Sequence, residues 1–162
     1  AQMSEAQFAK ARRNMVDGQI LPNRVTDERV VDAMATLPRE VFLPPQRQML
    51  AYADETVMID DGRYMMQPMV LARLLDVAEI GSGDVAMAIG CGSGYGVAVL
   101  AKLVDTVIAV ESDSSMRVFT FCTWAPDLGR ILSKCSRYAG VMESSTASKI
   151  EHRKDTPMAM VK

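Results

Sequence analysis

The sequence predicts an α/β fold, with helices first and then one strand–loop–helix–strand unit. Three stretches predict it. Val85 to Ile89 is a short, unbroken apolar run, the pattern of a parallel strand buried on both faces. The glycine-rich stretch Gly90-Cys91-Gly92-Ser93-Gly94-Tyr95-Gly96 follows at once and opens a helix running from Tyr95 to about Leu103. Thr106 to Val110 is a second apolar, β-branched run, and it ends in Glu111-Ser112-Asp113. Strand, glycine loop, helix, strand and acid make a βαβ unit of about thirty residues.

The elements ahead of this unit read as helices. Ser4 suits an N-cap, and Phe8, Ala11 and Met15 share one face of a helix over 4–16. Thr26 opens a second helix, with Arg29 where a capping box wants an acid or amide. Val30, Met34 and Leu37 recur at helical spacing, and Pro38 ends the run. Pro44-Pro45 marks a turn. Residues 56–59 form a short extended segment before the turn at Asp60-Asp61-Gly62. A third helix runs from Pro68, a good first helical residue, to Glu79, with Met69, Leu71, Ala72, Leu75 and Ala78 as its apolar surface.

From Ser114 the character changes. This tail holds the only Trp, the only His and two of the three cysteines. Leu128, Ile131, Leu132 and Cys135 are spaced for one more short amphipathic helix, and the polar stretch 143–162 is expected to be loosely ordered. The organisation expected is a helical region over 1–79, a βαβ unit over 80–113 and a divergent, partly disordered tail over 114–162, with the first two in one domain.

Composition excludes several classes. The 162 residues suit a single domain, and 49% apolar with 23% charged residues suits a chain that buries a core. A net charge of −2 gives no basic face for nucleic acid. No run reaches the ~18 apolar residues of a membrane span, because Lys102, Asp105 and the glycines interrupt the most apolar region. The first residues lack the apolar core of a signal peptide, so a cytoplasmic protein is expected. Cys91, Cys122, Cys135 and His152 show neither paired spacing nor a zinc pattern, so no metal is expected. The 13 methionines suit the filling of core gaps.

The glycine loop carries the chemistry. A strand that turns sharply into a helix under a ligand needs glycine, both for positive φ and to remove colliding Cβ atoms. The helix N-terminus then offers free N–H groups to an anionic ligand. Glu111, at the tip of the neighbouring strand, is placed to accept hydrogen bonds from ribose hydroxyls. The dinucleotide pattern GxGxxG fails here, since its last glycine falls on Tyr95 or Val97. The spacing present is GxGxG at Gly90, Gly92 and Gly94, which points to S-adenosylmethionine, with Gly90, Cys91, Gly92, Ser93, Gly94 and Glu111 as its candidate ligands. A structural turn and an NAD-dependent enzyme are the alternatives. Cys91 reads first as a small residue filling the turn, and Arg12-Arg13 and Arg39-Glu40 read as solvated or locally paired.

Longer stretches carry a family likeness. Asn14-Met15-Val16-Asp17-Gly18-Gln19, Arg29-Val30-Val31-Asp32-Ala33-Met34, Leu37-Pro38-Arg39-Glu40-Val41-Phe42-Leu43-Pro44, Ala51-Tyr52-Ala53-Asp54, Gln67-Pro68, Gly90 to Tyr95 and Val110-Glu111 resemble motifs of the protein-L-isoaspartate O-methyltransferase family. The resemblance runs from about Arg13 to Asp113. It implies a Rossmann-like S-adenosylmethionine methyltransferase fold, here incomplete at its C-terminus and preceded by helices. It also implies methyl transfer to the carboxyl group of isoaspartyl residues in damaged proteins or peptides.

Departures from the family pattern qualify that implication. Where the family has a threonine- and serine-bearing loop before Gln67-Pro68, this chain has Tyr64-Met65-Met66, with Met66 at the serine position. Met66 has no hydroxyl to offer a carboxylate, so Tyr64 and Gln67 are the remaining candidates beside the reacting centre. Ala88 stands where the family has the acid that anchors the cofactor's methionine end. No later strand is expected after Asp113, and two strands make no stable sheet. Either the tail is foreign to the fold, the favoured reading, or the sheet completes itself by pairing its open edge in a homodimer. These departures predict impaired or altered transfer, or a non-catalytic binding protein that keeps the fold.

Overall fold

The structure, a computed structural model, describes the backbone of residues 3–60, 62–111 and 117–122, and side chains as far as residue 110. Helix α1 spans Glu5–Met15 behind Ser4, as expected. Ser4 and Gln7 cap each other: Gln7 N–H donates to Ser4 Oγ at 3.3 Å, and Ser4 N–H to Gln7 Oε1 at 2.7 Å. The chain then widens into a π-helical turn, Val16–Ile20, and tightens into a 3₁₀ turn, Leu21–Asn23.

Helix α2 spans Glu28–Thr36. Its cap is Asp27, not Thr26 as the sequence suggested; the Asp27 carboxylate accepts from Arg29 N–H at 2.9 Å. Thr26 is held elsewhere, giving its N–H and hydroxyl to the Asp76 carboxylate at 2.8 and 3.2 Å. Val30, Ala33, Met34 and Leu37 are fully buried along one stripe. Leu37 turns extended ahead of Pro38, which disfavours helix in the residue before it. Two 3₁₀ turns follow, Arg39–Phe42 and Pro45–Leu50.

The extended segment expected over 56–59 is strand β1, Val57–Asp60. It pairs antiparallel with β2, Arg63–Met65, a partner that three residues were too short to announce. Gly62, at φ 70°, makes the turn. Helix α3 spans Pro68–Val77, starting at Pro68 as expected and stopping just short of Glu79.

The βαβ unit forms as read. Strand β3, Val85–Ile89, lies parallel to β4, Thr106–Glu111, in register from Val85 with Thr106 to Ile89 with Val110, and α4, Tyr95–Leu103, makes the crossover. Helices α2, α3 and α4 pack together, and Val107 and Ala109 of β4 face the core. Two expectations are corrected. First, β3 is not buried on both faces. Ala86 and Ala88 turn inward, while Val85, Met87 and Ile89 are 64%, 59% and 77% exposed. The strand sits at a sheet edge, and no described element covers its second face. Second, a strand does follow Asp113. Strand β5, Arg117–Cys122, runs antiparallel along β4, from Glu111 with Arg117 to Thr106 with Cys122, giving the order β3-β4-β5. Its Val118, Phe119, Thr120 and Phe121 are strong strand formers that carry no family motif. The expectations for a helix through Leu128 and Cys135, for His152 and for 143–162 lie outside the described residues.

Candidate functional site

The glycine loop joins β3 to α4 with all three alternating glycines at positive φ: Gly90 at 70°, Gly92 at 55° and Gly94 at 86°. An L side chain pays about 1–2 kcal/mol for this conformation, so the spacing of the glycines follows from the path of the backbone. Gly90 N–H donates to Val110 O at 2.8 Å, tying the loop to β4, and Gly94 N–H donates to Cys91 O at 2.9 Å. The Cys91 thiol donates inward to Ala88 O and Val110 O, at 3.3 and 3.4 Å, so Cys91 fills the turn. The ladder of α4 begins with Ala98 N–H to Gly94 O, so the N–H groups of the first turn lie ahead of it.

The loop packs against the hairpin. A Cβ on Gly92 would lie 3.6 Å from Ile59 Cδ1 and 3.8 Å from the Tyr64 carbonyl oxygen, and one on Gly96 would lie 3.8 Å from Leu71 of α3. Folding therefore brings Gly92 of the loop beside Ile59 and Tyr64 of the hairpin, across some thirty residues of sequence, with Met66 and Gln67 directly following β2. Tyr64 and Met66 are 57% and 43% exposed at this junction. Gln67 is already engaged: its Nε2 donates to the Asp54 carboxylate at 2.7 Å and to Asp54 O at 3.1 Å. Glu111 ends β4 at the same end of the sheet as the loop, since β3 and β4 run parallel.

Beneath the junction is a polar cluster that sequence reading missed. Arg39 is 0% exposed and Glu40 only 7%, which corrects the expectation that both are solvated or locally paired. Arg12 spans from α1 to Glu40 Oε1 at 3.3 Å and to Tyr52 Oη at 2.8 Å, and the Tyr52 hydroxyl donates to Glu40 Oε2. Gln19 Nε2 donates to Tyr52 O at 2.9 Å. Burial, and then the bond to Glu40, push the Tyr52 pKa well up from the usual phenol range.

Arg39 points the other way. Its Nε donates to Ala51 O at 2.6 Å, its Nη2 to Met66 O at 2.5 Å, and its guanidinium lies 4.7 Å over the Tyr95 ring. No carboxylate among the described residues pairs with it, and burial lowers its pKa. Burial pushes the Tyr95 phenol up to about 12, against the pull of Arg39. Phe42 completes the cluster with an edge contact to Tyr95, centroids 5.4 Å apart. The available signal was a charged pair, Arg39-Glu40, set inside an apolar run from Leu37 to Pro44.

The model of the family described as protein-L-isoaspartate(D-aspartate) O-methyltransferase matches residues 10–119. The chain belongs to this family. Among curated relatives, the protein-L-isoaspartate O-methyltransferase of Koribacter versatilis is 38% identical over 67% of this chain and 49% of its own length. That of Methanoculleus marisnigri is 39% identical over 63% and 46%, and that of Roseiflexus sp. (strain RS-1) 36% identical over 64% and 47%. The chain thus spans about half the length of the protein-L-isoaspartate O-methyltransferases it matches. A solved protein-L-isoaspartate O-methyltransferase superposes with a TM-score of 0.54 at 21% identity, over 81% of this chain and 39% of that one. That likeness bears on the fold, which is the Rossmann-like methyltransferase fold with helices ahead of it.

Proposed function

We propose that the chain transfers a methyl group from S-adenosylmethionine to the carboxyl group of isoaspartyl residues in damaged proteins or peptides, as a protein carboxyl O-methyltransferase, at a rate below that usual for its family. The observation that carries this reading is how near Gly92 lies to the hairpin, where an added Cβ would meet Ile59 and the Tyr64 carbonyl at van der Waals distance, which sets a cofactor-type loop against the segment bearing Tyr64, Met66 and Gln67. Residues 1–79 then supply the acceptor side, 80–113 the cofactor side, and 114–162 a divergent tail.

The loop fits the cofactor. A Cβ at Gly90 would project into open space, the side from which a ligand approaches, and the first-turn N–H groups of α4 offer donors to an anionic group. Gly90, Cys91, Gly92, Ser93 and Gly94 would hold the nucleoside and methionine parts, and Glu111 the ribose hydroxyls. When bound, S-adenosylmethionine supplies an activated sulfonium methyl group. A carboxylate acceptor with a pKa of about 4 is already ionised at neutral pH and needs no strong base. The task of Tyr64, Met66 and Gln67 is therefore alignment and exclusion of water. Met66 gives the acceptor no hydrogen bond, and Ala88 gives the cofactor no charge, which supports the lowered rate.

Incubation with an isoaspartyl peptide and methyl-labelled S-adenosylmethionine tests the proposal. Labelled ester is expected, at about a tenth of a normal family rate or less. A normal rate removes the impairment; no label in any acceptor leaves a non-catalytic binding protein. The location proposed is the cytoplasm, with neither nucleic acid nor membrane as partner. Among the described residues no helix is long and apolar enough to cross a membrane.

The open edge of β3, with no further strand beside it among the described residues, supports pairing with a second copy. Sedimentation over rising concentration is expected to show a dimer. A single monomeric species throughout ends that idea.

A further inference from the structure

We propose that Arg39 is a positioning residue that clamps the chain on either side of the β1–β2 hairpin, at Ala51 and Met66, to the first residue of α4, so that one buried guanidinium sets the spacing between the acceptor and cofactor sides of the site. Its kinetic consequence rests on the methyltransferase reading; its geometry does not.

The three anchor points carry the argument. Ala51 closes the Pro45–Leu50 turn on the approach to the hairpin, Met66 directly follows β2, and Tyr95 directly follows Gly94 as the first residue of α4. Arg39 donates to the first two carbonyls and lies over the third residue's ring. A second approach, of Gly92 to the Tyr64 carbonyl in β2, places the loop beside the hairpin at a point separate from Tyr95. Two separated contacts fix an orientation where one would leave a pivot.

The choice of residue agrees with this role. A planar guanidinium donates in two directions and stacks on a ring at once, whereas an ammonium is a point charge. Filling space alone would favour an apolar side chain, because a buried cation without a carboxylate is disfavoured. The adjacent carboxylate, Glu40, is committed to Arg12 and Tyr52. Arg39 also acts on the buried Tyr95 hydroxyl, drawing its pKa down against the rise that burial imposes, so charge as well as stacking holds the pair together.

Hydrogen exchange on the full chain and on Arg39→Lys tests the clamp without any ligand. Amides of 57–66 and 91–96 are expected to exchange about tenfold faster or more in the variant, with those of α1 changed less than about twofold. Uniform loss of protection marks a merely structural residue and overturns the proposal, as does unchanged protection. If Arg39→Lys does not fold, Tyr95→Leu removes the ring and leaves both carbonyl bonds. It is expected to loosen 91–96 selectively, and a pattern identical to the parent's overturns the clamp.

In an active chain, Arg39→Lys is expected to lower kcat about tenfold or more while KM for S-adenosylmethionine stays within about twofold. A rise in that KM with kcat unchanged overturns positioning. A parent chain that neither binds S-adenosylhomocysteine nor transfers methyl overturns the proposed function, and the exchange pattern alone then decides the clamp.

Discussion

The cluster around Tyr52 and the outer face of β3 handle burial in opposite ways. Around Tyr52, charged and phenolic groups from α1, the Arg39–Phe42 turn and the segment before β1 are buried and paired over sequence distances of up to 40 residues. Across β3, apolar Val85, Met87 and Ile89 face outward. The side chains are inverted relative to the usual rule of apolar inside and charged outside. The contrast teaches that the region before Pro68 is locked by its own contacts, whereas the sheet, as far as it is described, offers a surface that takes its stability from elsewhere.

The strongest way to break the contrast is to remove the anion from the cluster. Glu40→Ala leaves Arg12 and the Tyr52 hydroxyl without their acceptor, and breaking a buried pair from one side costs about 3 kcal/mol. Urea unfolding is expected to show a loss of that size, and a loss below about 1 kcal/mol would mean that the cluster is solvated after all.

Alkaline titration probes the same cluster less severely. Tyr52 and Tyr95 both have folded pKa values raised above the free phenol value of 10.0. Stability from a raised pKa is fully present below the unfolded value and is lost as pH rises through the folded one. Stability is therefore expected to hold to about pH 10 and to fall beyond it, with Tyr95 at about 12. Tyrosinate absorbance should lag for these two residues until the chain unfolds. Complete ionisation before any unfolding would falsify the burial of both hydroxyls.

The smallest effect belongs to the other region. Met87→Lys changes a side chain that is 59% exposed, so the monomer's stability should move by no more than about 0.5 kcal/mol. A loss above about 2 kcal/mol would show that the face is covered in solution and would erase the contrast.

The sequence made the βαβ unit legible because glycine, β-branched runs and an acid each have a local physical reason to stand where they do. The three positive-φ glycines fell where GxGxG spacing placed them. The polar cluster was not legible, because pairing Arg12 with Tyr52 or Arg39 with Met66 depends on which segments meet, and no local pattern encodes that. The burial of β3 was misjudged for a related reason: an apolar run reports what a strand tolerates, and neighbouring elements decide whether it is covered. Thr26 lost the cap of α2 to Asp27 because its hydroxyl is drawn to Asp76, some fifty residues away.

The wide turn at Val16–Ile20 sets a phase. A π turn holds one residue more than an α turn, so everything after it is rotated relative to α1. Gln19 meets the Tyr52 carbonyl at 2.9 Å from within that turn. Deleting one residue there, Asp17 for example, would restore a regular helix and swing the following side chains by about 100°. The chain would keep its helix, yet Gln19 would lose its aim. The extra residue works as an angular offset between two helical segments, and the family motif that contains it is read by the fold as a rotation.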